Sequence, residues 1–122
     1  MRNKMKNSRW ILCVAASTVL SLTALLTAPK SMAEGPPTVN VKIDNFSFTP
    51  PTLTVKVGTQ ITWINADDIP HTVVSDTQEF KSKPLDTDEK FTFTPSKPGT
   101  YSYFCSIHPK MTGKVVVEQE TP

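Results

Sequence analysis

Cys105, His108 and Met111 fall within seven residues, spaced Cys-x2-His-x2-Met in Tyr103-Phe104-Cys105-Ser106-Ile107-His108-Pro109-Lys110-Met111. A thiol, an imidazole and a thioether on so short a loop are donors for a soft or borderline metal ion. A second imidazole, His71, stands far upstream in Ile69-Pro70-His71-Thr72-Val73. Two imidazoles, one thiolate and a weak axial thioether suit copper in both oxidation states, and such a set passes single electrons. Taken singly, each has a plainer reading: His71 as a core histidine, His108 as a solvated loop residue, Met111 as core filler. Their joint spacing favours the metal.

The start of the chain sharpens that reading. Arg2, Lys4, Lys6 and Arg9 precede an apolar run from Trp10 to Leu26, and Ser31-Met32-Ala33 supplies small residues for cleavage. This is the layout of a secretory signal, predicted to span 1–33 and to be removed after Ala33. The run is marginal for a membrane span and carries Ser17, Thr18, Ser21 and Thr23, so no stable membrane insertion is expected after cleavage. Cys13 follows Leu12 rather than a small residue, which argues against a lipoprotein site.

Without residues 1–33 the remaining segment keeps one Cys, one Met and two His: Cys105, Met111, His71 and His108. No disulfide is available to it, and an odd thiol in an exported protein calls for an explanation. A metal-held thiolate supplies one. Eight basic residues face eleven acidic ones in that segment, a net charge of −3, so no basic stripe remains to neutralise nucleic-acid phosphates.

The elements that must position the donors read as short strands. Val39, Val41 and Ile43 alternate with polar residues, Phe46 and Phe48 follow an irregularity at Asn45, and Pro50-Pro51 ends pairing. Leu53, Val55 and Val57 form the next strand, then Gly58-Thr59 turns the chain into Ile61 and Trp63. His71 to Val74 reads as a short strand after a loop from Asn65 to Pro70. Ser75 to Glu89 is polar, with room for a short helix but no amphipathic stripe. Strands return at Phe91 and Phe93, at Thr100 to Phe104, and from Gly113 through Val115-Val116-Val117. Seven or eight short strands with frequent Pro and Gly predict an all-β, mainly antiparallel sandwich over 34–122. Phe46, Phe48, Trp63, Phe91, Phe93 and Tyr101 are expected mostly in its core.

Tyr103 and Cys105 share a strand parity, which points both inward and sets the thiol at one end of the sandwich. Pro109 has no N–H to offer the sulfur. The Thr72 N–H, next to His71, is the better candidate donor.

These residues resemble the cupredoxins, and within them the amicyanin-like group. The resemblance rests on Phe46-Ser-Phe-Thr-Pro50, Leu53-Thr-Val-Lys-Val-Gly58, Trp63-Ile-Asn65, Pro70-His71, the Cys105-to-Met111 loop and Gly113-Lys-Val-Val-Val117. It implies a Greek-key β-sandwich with His71, Cys105, His108 and Met111 as ligands of one type 1 copper ion, His108 being the exposed one. It also implies a monomeric periplasmic or otherwise exported electron carrier, not an enzyme, meeting a dehydrogenase, cytochrome c or oxidase transiently. Lys110 departs from the pattern, because amicyanins that serve methylamine dehydrogenase usually carry an apolar residue there. Copper delivery or storage is the alternative function. Catalysis by Cys105 and His108 lacks an orienting group and an oxyanion site.

Overall fold

A computed structural model describes residues 28–29 and 34–121. The charged start, apolar run and cleavage motif of the predicted leader lie outside the described residues. Within the unit Ala33–Pro122, eight strands follow in order: β1 (Thr38–Asp44), β2 (Ser47–Thr49), β3 (Thr52–Lys56), β4 (Gln60–Asn65), β5 (Val74–Ser75), β6 (Lys90–Phe93), β7 (Gly99–Phe104) and β8 (Thr112–Glu118). There is no helix among the described residues.

The strands form two four-stranded sheets, ordered β2-β1-β4-β6 and β3-β8-β7-β5. Pairing is antiparallel except for β1 with β4 and β3 with β8. Those two parallel pairs need no helical crossover, because the chain reaches the second strand of each by passing through the other sheet.

Period-2 alternation places Val41 and Ile43 of β1, Val55 of β3, Ile61 and Trp63 of β4, Tyr103 of β7, and Val115 and Val117 of β8 between the sheets. Trp63 packs on Tyr103, Phe80 and Phe91, with ring centroids 5.4, 5.5 and 5.8 Å away. Phe91, Phe93 and Tyr101 pack against the core from its margin.

Three local features differ from the sequence-based expectation. First, the strand expected from His71 is only Val74–Ser75. The Thr72 N–H points to the Cys105 sulfur and the Val73 N–H to Ser82 Oγ, so neither is free for a strand ladder. His71 instead exchanges backbone hydrogen bonds with Leu85, at 3.1 and 2.7 Å. Second, the polar stretch after Ser75 folds back on residues 71–75 as extended chain and buries Phe80 and Leu85. Third, Phe46 is 53% exposed. Asn45 and Phe46 both have positive φ, 48° and 56°, and form the two-residue turn that reverses β1 into β2. That reversal turns Phe46 out of the core and leaves Phe48 in it.

Candidate metal centre

β7 delivers Cys105 to the end of the sandwich. Beyond it the chain makes a short loop closed by its own backbone: Met111 N–H donates to the His108 carbonyl at 2.8 Å, and Cys105 N–H donates to the Met111 carbonyl at 3.0 Å. β8 then begins at Thr112. The loop is therefore braced at both ends by paired strands, and Cys105 and Met111 are both buried.

His71 arrives from the other side, its backbone fixed by Leu85. Its Nδ1 lies 3.7 Å from Cys105 Sγ, and His108 Nδ1 lies 3.8 Å from the same sulfur. All three donor atoms are within 4.8 Å of one another. Nitrogen and sulfur donors bound at about 2.0 and 2.3 Å, and spread by about 120°, stand about 3.7 Å apart. The gap between these atoms thus fits one ion. His71 is 0% exposed, whereas His108 is half-buried, so one imidazole faces inward and the other reaches the surface.

The thiol is prepared for deprotonation. Burial alone would push Cys105 up, but the Thr72 N–H at 3.4 Å and the two imidazoles outweigh it and bring the group down to about 6. Thr72 serves twice, since its Oγ1 accepts the Ser106 N–H at 2.7 Å and meets Ser106 Oγ at 2.7 Å. This residue ties the Cys105 loop to the His71 segment.

The loop before His71 adds Asn65 and Asp67 to the site, roles that residue types and spacing alone do not assign. Asn65 is fully buried; its amide donates to the carbonyls of Ile69 and Leu85 at 2.9 and 2.8 Å, and its Oδ1 accepts the Asp67 N–H at 3.0 Å. Asp67 Oδ2 lies 2.7 Å from His71 Nε2. A proton held on Nε2 by that carboxylate would leave the Nδ1 lone pair for a metal ion placed between the donors. Burial raises the Asp67 carboxyl, but the Phe46 and Asn45 N–H groups and His71 hold it below its ordinary value. A carboxylate four positions before a candidate histidine was the available signal. Phe46, expected mostly in the core, stands at the site instead: its ring is perpendicular to both imidazoles, 5.7 Å from His71 and 5.0 Å from His108.

The thiol, imidazole and thioether of the Cys105-to-Met111 loop, with the His71 imidazole brought in from another segment, form a donor set suited to one copper ion. The chain matches the family profile of the cupredoxin-like domain over residues 14–117. It is 36% identical to amicyanin-alpha of Methylorubrum extorquens over 117 residues, covering 85% of this chain and 94% of that protein. Among solved structures, a purple cupredoxin from Nitrosopumilus maritimus aligns with TM-score 0.63 and 34% identity, over 66% of this chain and 99% of that one. A copper-containing nitrite reductase from Thermus scotoductus aligns with TM-score 0.65 and 33% identity over 70% of this chain but only 23% of the reductase. The sheet order, the donor cluster and these likenesses agree: the chain belongs to the cupredoxin family, close to the amicyanins.

Proposed function

We propose that the protein is an exported blue copper electron carrier, with His71, Cys105 and His108 as strong ligands and Met111 as the weak axial one. The observation that carries this reading is the Cys105 sulfur set between two imidazole nitrogens at 3.7 and 3.8 Å, its pKa already lowered. Copper bound there supplies a one-electron couple, Cu(II)/Cu(I).

The chain's own residues do the rest. Paired strands and the closed loop hold the donors before metal arrives, which limits rearrangement between the two oxidation states. The Thr72 N–H steadies the negative sulfur. The half-buried His108 ring offers electrons a path to the surface, flanked by the exposed Ile107 and Phe46. Encounters through so small a patch are transient, which suits exchange with a dehydrogenase or a cytochrome. Residues 1–33 act as the cleaved export signal and 34–122 as the working domain. Four protein donors leave no open coordination position for a substrate, so the reading is of a carrier and not an enzyme.

The test is to add Cu(II) to the metal-free protein and record its visible spectrum during redox titration. An intense thiolate-to-copper band, bleached by reductant and restored by oxidant, is the expected result. A colourless complex overturns the reading.

A further inference from the structure

Phe46 has no core role that explains its position. Phe48, two residues on, fills the core against Tyr103 at 4.7 Å, while Phe46 stands outside as one of two exposed large apolar residues among those described. Its backbone is in the left-handed region, as is that of Asn45; asparagine takes that conformation readily, but an aromatic residue adopts it only when something else holds it there.

The Asp67 carboxylate holds them. Oδ1 accepts the Asn45 N–H at 2.7 Å and Oδ2 accepts the Phe46 N–H at 3.2 Å. The same Oδ2 meets His71 Nε2 at 2.7 Å. Asp67 is itself fixed at both backbone ends, its N–H by Asn65 Oδ1 and its carbonyl by the Thr87 hydroxyl at 2.8 Å. One rigid carboxylate thus seats both the inner imidazole and the turn that carries an aromatic ring against the two imidazoles. The ring is perpendicular to each, an arrangement aromatic quadrupoles favour.

Resting on the copper reading above, we propose that Phe46 is a cap over the imidazole side of the centre and that Asp67 is its positioning residue. The cap keeps water and small anionic ligands away from His71 and its donor partners while leaving the His108 edge available. Electrons cross such a cover; ligands do not.

The test uses the metal-free protein, so it does not depend on copper chemistry. A soluble nitroxide is added, and the relaxation of the His71 and His108 ring protons is read by NMR. In the wild type the His71 protons are protected. Phe46→Ala raises their relaxation several-fold, and Phe46→Leu gives a smaller rise. Asp67→Asn gives a rise like that of Phe46→Ala and shifts the His71 ring nitrogens away from the pattern of a ring protonated at Nε2. Asp68→Asn, a neighbouring exposed carboxylate, changes nothing. Should Asp67→Asn not fold, amide exchange at Asn45 and Phe46 decides the clamp: slow exchange in the wild type supports it and fast exchange overturns it. Unchanged His71 relaxation in Phe46→Ala overturns the cap, whatever colour the copper form has. A wild type that stays colourless with copper overturns the carrier reading alone.

Discussion

The phenol ring of Tyr103 occupies the place where a side chain at Gly113 would begin. The two residues face each other across β7 and β8, and a Cβ built on Gly113 would fall well inside contact distance of the ring. The absence of a side chain on β8 is what admits the buried tyrosine of β7. It does so next to the Cys105 loop, so packing and donor placement share one cross-strand pair.

Gly113→Ala is therefore expected to destabilise the metal-free protein by about 1–3 kcal/mol, as overpacking of a filled site does. Urea unfolding measures it. Combining it with Tyr103→Leu should cost less than the sum of the two single changes, since the smaller residue vacates the contested space. Full additivity would show that Gly113 answers to something other than Tyr103.

Tyr103 also predicts a pH effect. Burial, little relieved by the neighbouring Trp63 indole, pushes its phenol from 10.0 to about 12. The folded state then holds a proton that the unfolded state gives up earlier. Stability from this source is complete below the unfolded value and declines as pH climbs from there through the folded value. Unfolding free energy measured across that alkaline window should fall, and Tyr103→Phe should flatten the slope. Because the hydroxyl is buried without a hydrogen-bond partner, the same change is expected to be neutral or stabilising at neutral pH.

Thr72→Val separates the two jobs of Thr72. It removes the oxygen that accepts the Ser106 N–H and leaves the backbone N–H that points to the sulfur. A loss of about 1–3 kcal/mol in the metal-free protein is expected, the cost of an unsatisfied donor. The visible band of the copper form should survive, with copper leaving faster when a chelator is added. Disappearance of the band would mean that the hydroxyl, not the backbone, sets up the sulfur.

Cys105→Ser removes the soft anionic donor with little change in volume. The variant should fold, shown by an unfolding midpoint near that of the metal-free wild type, yet give no intense visible band with Cu(II). Copper should raise the wild-type midpoint by much more than the variant's, because binding to the native state alone stabilises it by mass action. Equal shifts would place copper elsewhere.

Much of this architecture is legible in residue order. Alternation in Val39-to-Ile43, Leu53-to-Val57 and Gly113-to-Val117 announces strands, because burial on one face demands period 2. The clustering of His71 with Cys105 and His108 follows from donor chemistry. What escapes is whatever depends on long-range hydrogen bonds. Nothing local tells that Thr72 and Val73 spend their N–H groups on a sulfur and a serine, or that Asp67 reaches back to Asn45 and Phe46. Phe46 was misplaced for a related reason. Its parity matches that of Phe48 only if no turn intervenes, and the turn depends on a carboxylate more than twenty positions away.

The parallel pairing of β3 with β8 bears on the order in which the molecule comes together. Residues 52–56 find their partners only at 114–118, and β8 lies between β3 and β7 inside its sheet. The chain must be released as far as Glu118 before that sheet can close. Sequence separations of this length slow folding. The loop from Cys105 to Met111 leads directly into β8, so the donors cannot be held in register before the C-terminal strand docks. Metal capture is therefore a late event, and removing residues 112–118 deletes an interior strand of its sheet.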